Sequence, residues 1–244
     1  IARCFLPADL AGGAQRFGLS AQTYALRHDR DQGIGDYSAL AELAAQAAQA
    51  GATLLGLSPP HALMPTDRAR ASPYQPSDRR MLEPALLDVS ALGVVQDFSA
   101  LRASPLVDYG AVWQAKRAVL HNAWRALPPG HAALAAFRAA GGAALERFAT
   151  FTAIAEAIGH TDMARWPWGL RTPDGDAVRD FAAQHQDAIG FHVFLQYLCD
   201  GQLAHAAAQG VGLYRDLAVG AAPDGAEAWA GRDLLLGGFS IGAP

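Results

Sequence analysis

The sequence predicts an α/β fold in which strands and helices alternate around a parallel sheet or barrel. Two observations lead to this prediction. Helical segments end at a glycine and are followed by a short apolar segment, once at Gly51 and again at Gly210. These apolar segments lack polar alternation, which indicates strands that are buried on both faces. The long stretch between the two units does not follow the alternation and predicts an insertion.

The composition excludes several classes of protein. The 244 residues are 51% hydrophobic and 17% charged, and 19 Lys+Arg against 23 Asp+Glu give a net charge of −4. Such a chain is too apolar for disorder and lacks the basic excess that nucleic-acid binding requires. No apolar run has the roughly 20 residues that span a bilayer, and Cys4 and Cys199 are too few for a disulfide framework. We therefore expect a soluble, cytoplasmic protein without nucleic-acid or membrane partners.

The first unit begins with a strand over residues 18–26. A polar loop follows, and Asp36 or Ser38 can N-cap a helix that ends at Gly51. Residues 52–57 are then the second strand, which two consecutive prolines end.

The third unit lies near the other end of the chain. A helix over residues 191–209 stops at Gly210, and residues 211–219 form the third strand. The chain then ends in an apolar segment, residues 234–244, which is unusual for the end of a globular chain because it leaves apolar surface to cover.

The insertion between the second and third units is predicted to be mostly helical. It opens with a stretch rich in Pro, Arg and Ser over residues 65–80, followed by a strand at 86–89. Alanine-rich segments at 111–127 and 132–157 then predict two long helices, because alanine has the highest helix propensity.

Candidate functional residues lie where strands end, since reactive groups collect there in βα folds. Asp216 interrupts the third apolar strand, and a buried charge without a partner is costly. One interpretation is an ion pair with an arginine, and the other is a carboxylate that accepts hydrogen bonds from ligand hydroxyls. Both remain open.

Aromatic side chains and a histidine add to the candidates. Tyr74 lies between prolines in a stiff loop and is either a stacking platform for a sugar ring or a tyrosine packed on its own subdomain. His61 is either a ligand group or a structural histidine. Trp166 and Trp168, which flank Pro167, either line a groove or anchor the insertion.

Several reaction classes find no support. The sequence has no metal-binding motif, so we expect no metal and no cofactor. Gly33-Ile34-Gly35 lacks the third glycine of a dinucleotide loop, and Ser58 is not in the GxSxG elbow of a serine hydrolase.

Longer segments carry a resemblance to a known family. They are residues 17–27, 33–36, 56–63, 71–80, 108–117, 194–198 and 211–230. In this order they resemble glycoside hydrolase family 77, the 4-alpha-glucanotransferases or amylomaltases of bacterial type. Glu83, Leu86 and Gly201 depart from the family's pattern, where an asparagine, an aromatic residue and an arginine are usual.

The resemblance implies a fold and a division of the chain. We expect the first three βα units of a TIM (β/α)8 barrel with an inserted, mostly helical subdomain, and an incomplete barrel. Residues 1–64 would start the barrel, residues 65–190 would form the inserted subdomain with the substrate loop, and residues 191–244 would form the third unit.

The resemblance also implies an activity. Members of the family transfer segments of α-1,4-glucans between maltodextrins with retention, which takes a carboxylate nucleophile and a carboxylic acid/base. In the family these are an aspartate on the fourth strand and a glutamate on the fifth, so we expect no catalytic residue in this chain. Tyr74 matches the family's sugar-contacting tyrosine, Ser72 its neighbour and Asp216 the third-strand aspartate, and His61 completes the predicted substrate-binding set.

Three hypotheses therefore stay open. The chain is part of a 4-alpha-glucanotransferase that is inactive on its own, a non-catalytic module that binds maltooligosaccharides, or an inactive fragment. In each case an open sheet edge would favour self-association.

Overall fold

A three-stranded parallel sheet organises the chain. The computed structural model describes residues 15–94 and 96–235, together with Gly12. The strands are β1 (Gly18–Ala21), β2 (Leu54–Leu57), β3 (His61–Ala62), β4 (Asp78–Leu82) and β5 (Gly212–Arg215). The sheet has the order β1-β2-β5, and Leu54 of the central strand pairs with Gly18 on one side and Gly212 on the other. The prediction of an α/β fold with three parallel strands is confirmed.

Helices fill most of the remaining sequence. They are α1 (Tyr37–Gln49), α2 (Ser99–Arg102), α3 (Tyr109–Ala126), α4 (Ala132–Ile158), α5 (Asp176–Gln184), α6 (Gln186–Ala207) and α7 (Ala226–Ala230). The start of α1 is capped by Asp36, whose carboxylate accepts a hydrogen bond from the backbone N–H of Ala39. Gly51 and Gly210 adopt positive φ after α1 and α6, as the sequence predicts. Within α4 the helical conformation is interrupted at Gly142.

The strands are shorter than predicted. The first strand ends at Ala21, because residues Thr23–Ala25 form a 3-10 turn instead of continuing the ladder. The third strand ends at Arg215, although the N–H of Asp216 still donates to the carbonyl of Leu57 at 3.0 Å. Asp216 therefore lies at the carboxyl end of the sheet and not within a strand.

The prediction that the strands are buried on both faces is wrong for the described residues. Leu55 and Leu57 join the core that α1 and α6 form on one face of the sheet. Leu54 and Tyr214 lie on the opposite face, where they are 53% and 67% exposed. Sequence alternation reports only the apolar character of a strand, whereas burial depends on what packs against it.

The predicted strand at residues 86–89 is also wrong. Two 3-10 turns, Pro84–Leu86 and Val89–Leu92, occupy this region. Each is started by a carboxylate that accepts a backbone N–H two residues later, Glu83 from Ala85 and Asp88 from Ser90. The antiparallel pair β3–β4, which the sequence analysis does not predict, instead joins residues just after β2 to the first part of the insertion.

The cysteines and the apolar segments can also be compared with the sequence analysis. Cys199 is buried and is a free thiol, whereas Cys4 and residues 236–244 of the apolar segment lie outside the described residues. Across residues 15–94 and 96–235, no helix is long and apolar enough to cross a membrane.

Lys116, the only lysine of the sequence, lies in the core. Its ammonium group donates to the carbonyl of Ala85 at 2.9 Å and to that of Leu87 at 2.6 Å, so it joins α3 to the 3-10 turns. Burial lowers the pKa of Lys116 to about 8, and the carboxylates of Asp36 and Asp88 offset part of this effect.

We expect the stability of the protein to rise with pH because of Lys116. The pKa of this lysine in the folded state lies below the 10.5 of an ordinary lysine, so the unfolded chain binds the proton more tightly between about pH 8 and 10.5. Relative to a Lys116→Met variant, the free energy of unfolding should rise by about 1–2 kcal/mol from about pH 7.5 to 9.5. Urea denaturation of both proteins measures this difference, and parallel pH profiles would contradict it.

Candidate functional site

Two loops at the carboxyl end of the sheet contain most of the predicted site residues. The first, residues 71–77, precedes β4 and contains Ser72 and Tyr74, and the second, residues 216–225, follows β5 and begins with Asp216. We call them the substrate loop and the β5 loop. Because the strands are parallel, the β5 loop leaves the sheet at the edge where β2 also ends.

The substrate loop holds Tyr74 on the surface. The carbonyl of Ser72 accepts the N–H of Gln75 at 3.2 Å, and Pro73 within this turn and Pro76 directly after it restrict the backbone further. The side chain of Tyr74 is 56% exposed, and Ser72 is exposed beside it. Of the two interpretations of Tyr74, the packed tyrosine is therefore not what the structure describes.

Asp216 is half-buried, directly after β5. Among the described residues it forms no ion pair, so the arginine partner that one interpretation requires is not found there. The carboxylate is accessible to solvent and to a ligand that offers hydroxyl donors.

His61 is buried and contacts the β5 loop. Its Nε2 accepts a hydrogen bond from the backbone N–H of Ala218 at 3.3 Å, two residues beyond Asp216. Burial lowers the pKa of His61, and the nearby guanidinium of Arg79 lowers it further. The neutral imidazole that accepts this N–H is thereby favoured.

An arginine and a glutamate tie the two loops together. The side chain of Arg79, at the start of β4, donates to the carboxylate of Glu227 in α7, and its backbone N–H donates to the same group at 2.9 Å. A further N–H of Arg79 donates to the carbonyl of Val219 in the β5 loop, also at 2.9 Å. Partial burial works to raise the pKa of Glu227, but the hydrogen bonds from Arg79 outweigh it and hold that pKa below its usual range.

A second ion pair joins the loops from the other side. Arg70 donates two hydrogen bonds to the carboxylate of Asp224, at 2.6 and 2.9 Å, and the hydroxyl of Thr161 donates to it at 2.9 Å. Partial burial works to raise the pKa of Asp224, yet these donors lower it below its usual range. We refer to Arg70, Arg79, Asp224 and Glu227 as the loop clamp.

The backbones of the two loops also touch directly. The carbonyl of Pro76 accepts the N–H of Ala222 at 2.8 Å, and the carbonyl of Ser77 accepts the N–H of Glu227 at 2.9 Å. A Cβ atom on Gly225 would lie 2.5 Å from the carbonyl oxygen of Ser77, so this position requires glycine. Hydrogen bonds and ion pairs therefore connect the substrate loop to the β5 loop and α7, so the parts of the candidate site are held together.

The sequence analysis does not predict the loop clamp. Arg79, Asp224 and Glu227 lie in the segments that carry the family resemblance and Arg70 directly precedes one of them, but nothing in their spacing shows that residues 154 and 148 positions apart form pairs. The sequence analysis separately expects no metal. Within residues 15–94 and 96–235, no group of three or more His, Cys, Asp or Glu side chains could hold a metal ion.

Comparison with known proteins identifies the family. A family model described as 4-alpha-glucanotransferase, glycoside hydrolase family 77, matches residues 21–244. The chain belongs to this family. The 4-alpha-glucanotransferase of Mycobacterium tuberculosis (strain H37Rv) is 40% identical over 273 residues, which cover 98% of the chain and 37% of that protein. The 4-alpha-glucanotransferase of Haemophilus influenzae is 27% identical and is matched over 38% of its length.

Solved structures of family members share the fold. The amylomaltase of Corynebacterium glutamicum superposes with a TM-score of 0.74 at 28% identity, over 93% of the chain and 33% of that protein. The amylomaltase of Streptococcus agalactiae in complex with acarbose gives a TM-score of 0.75 at 20% identity, over 90% of the chain and 47% of that protein. The chain thus spans between about a third and just under half of the length of these 4-alpha-glucanotransferases and amylomaltases.

We expect the loop clamp to stabilise the β5 loop. In an Arg79→Leu variant the carboxylate of Glu227 keeps the backbone N–H donor but loses the guanidinium, and the carbonyls of Ala218 and Val219 lose their donor. These losses should lower the free energy of unfolding by about 1–3 kcal/mol. Amide hydrogen exchange in residues 216–225 should accelerate. Urea denaturation and exchange mass spectrometry measure the two effects.

Arg30 offers a matched control for this experiment. It pairs with Glu42 at 3.0 Å, but both side chains are more than half exposed, and exposed pairs contribute little. The Arg30→Leu variant should behave like the parent. Equal losses in the two variants would contradict the role of the clamp.

Proposed function

We propose that this chain is part of a 4-alpha-glucanotransferase that transfers α-1,4-glucan segments between maltodextrins by a retaining double displacement. Its nucleophilic aspartate and its acid/base glutamate lie beyond this chain. The observation that supports the proposal is that the loop clamp holds together the two loops that contain Tyr74 and Asp216. The chain is also a member of the 4-alpha-glucanotransferase family.

The roles of the site residues follow from their chemistry. Tyr74 stacks on the C–H face of a glucose ring, and its phenol offers a hydrogen bond. Asp216 accepts hydrogen bonds from glucose hydroxyls, with Ser72 beside Tyr74 as a further polar contact. His61 contributes indirectly, because its Nε2 holds the N–H of Ala218 and so fixes the start of the β5 loop.

The architecture we propose is the first part of a TIM barrel. Residues 1–64 start the barrel, residues 65–190 form the mostly helical inserted subdomain with the substrate loop, and residues 191–244 form the third βα unit. Such a barrel needs eight strands, and the exposed face of the three-stranded sheet, with Leu54 and Tyr214, is the face that would line its interior. In the isolated chain this face and the sheet edges favour self-association.

A binding experiment tests the site. Titration calorimetry of the chain with maltohexaose should detect binding, and Tyr74→Ala and Asp216→Asn should each weaken it about tenfold, because each removes a stacking surface or a charged acceptor. Phe17→Ala is the matched control, since Phe17 is 51% exposed but precedes β1 at the opposite end of the sheet. No binding of maltohexaose at millimolar concentration would exclude both the transferase site and the binding-module alternative.

An activity measurement tests the proposal that the catalytic pair lies beyond this chain. Incubation with maltotriose should release no glucose and form no longer maltodextrins, because the reacting carboxylates are not in the chain. Chromatography of the products provides the measurement. Turnover that scales with the concentration of the chain would show that it contains a catalytic pair and would overturn this assignment.

A further inference from the structure

The two tryptophans that flank Pro167 have opposite environments. Trp166 is 1% exposed, its indole N–H donates to the carbonyl of His160 at 3.0 Å, and its ring packs on Phe151. Trp168, two residues later, is 80% exposed. Trp166 therefore anchors the insertion. The indole of Trp168 stays exposed to solvent, so the free energy that its burial would provide does not stabilise the fold.

The segment that carries Trp168 is firmly held. It forms the 3-10 turn Trp168–Leu170, whose last carbonyl accepts the indole N–H of Trp229 at 3.0 Å. The next carbonyl, that of Arg171, accepts a hydrogen bond from Arg232 at 3.2 Å. A ring on such a fixed turn loses little conformational entropy when a ligand covers it.

Arg171 adds a polar group to the exposed ring. The central carbon of its guanidinium lies 5.4 Å from the centroid of the Trp168 ring, and its Nε donates to the carbonyl of Trp166 at 2.9 Å. In the described part of the chain, the two terminal nitrogens of Arg171 donate to no acceptor. They are placed to donate to hydroxyl groups of a ligand that stacks on the ring.

The ring of Trp168 and the guanidinium of Arg171 together suit a ligand that has an apolar face and hydroxyl groups. Between residues 107 and 213, Trp168 is the one large apolar side chain among the described residues that is exposed, and the guanidinium of Arg171 lies beside its ring. The exposed carboxylates of Asp174 and Asp176 follow in the same segment and are paired with Arg147 and Arg179, so these two pairs add no net charge. A glucose ring combines an apolar C–H face with hydroxyl groups and fits both features.

We propose that Trp168 and Arg171 form a second stacking site, which takes one glucose ring of an α-1,4-glucan outside the site of Tyr74 and Asp216. The inference rests on the proposed function for its substrate class. The two sites share a framework, because α7 holds Leu170 through Trp229 and holds Arg79 of the loop clamp through Glu227. A long glucan could thus be held at two points that keep a fixed separation.

Fluorescence quenching tests the second site directly. Of the five tryptophans, Trp113, Trp166 and Trp229 are buried and Trp124 is half-buried, so quenching by acrylamide reports mainly on Trp168. Millimolar maltohexaose should lower the quenching slope of the parent chain towards that of a Trp168→Ala variant, whose own slope should not respond to the sugar. Because Trp168 lies on the surface, this variant should retain the circular dichroism spectrum of the parent.

The Tyr74→Ala variant separates this inference from the proposed function. Its quenching slope should still fall with maltohexaose, because the second site binds glucan independently of Tyr74. A parent slope that maltohexaose leaves unchanged would overturn the inference, even if calorimetry detects binding at Tyr74. A slope that falls while calorimetry shows no effect of Tyr74→Ala or Asp216→Asn would retain the second site and remove the first. Equal protection by cellohexaose, a β-1,4-glucan, would overturn the assignment of an α-1,4-glucan.

Discussion

The central position of β2 between two parallel neighbours determines where everything else in the chain can lie. Parallel neighbours must be joined by crossovers, and here one crossover is the single helix α1 while the other contains the whole insertion. Because β1, β2 and β5 all end at the same edge, the chain that leaves each of them starts from that edge. The substrate loop and the β5 loop meet there although they are far apart in sequence.

Pairing of the strands brings the loops to one edge, and charge then fixes them to each other. An arginine that donates two hydrogen bonds to one carboxylate is held in a defined direction as well as attracted to it. These pairs therefore fix the relative orientation of the two loops, which apolar contact alone would not do. The partners Arg79 and Glu227 are only 30% and 20% exposed, which reduces screening by solvent. Two backbone hydrogen bonds, accepted by the carbonyls of Pro76 and Ser77, add to this connection. The result is a surface whose polar groups keep their positions before a ligand arrives.

Local features of the fold could be read from the sequence, whereas features set by distant partners could not. The N-cap at Asp36 and the glycine at Gly51 depend on residues within one turn of α1, and both are found. The prediction of a strand at residues 86–89 is wrong because the carbonyls of Ala85 and Leu87 accept hydrogen bonds from Lys116, about thirty residues away, and not from a neighbouring strand. The prediction that the strands are buried on both faces is also wrong because of distant residues, since burial depends on what packs against each face of the sheet.

The candidate site shows the same division. Tyr74 and Asp216 could be chosen from local chemistry and from the family resemblance, but the pairs of the loop clamp could not, because an arginine gives no local sign of which carboxylate it will meet. The opposite fates of Trp166 and Trp168 illustrate the limit most clearly. Identical side chains around one proline are separated only by the direction in which the folded chain points them.

The burial of the single lysine has a chemical consequence for the whole surface. All other basic side chains of the sequence, apart from its histidines, are arginines, so the described surface of the folded chain presents no lysine amine to acylating reagents. Lys116 can react only when the core around α3 opens. Its rate of acylation is therefore a direct chemical measure of how often the folded protein opens.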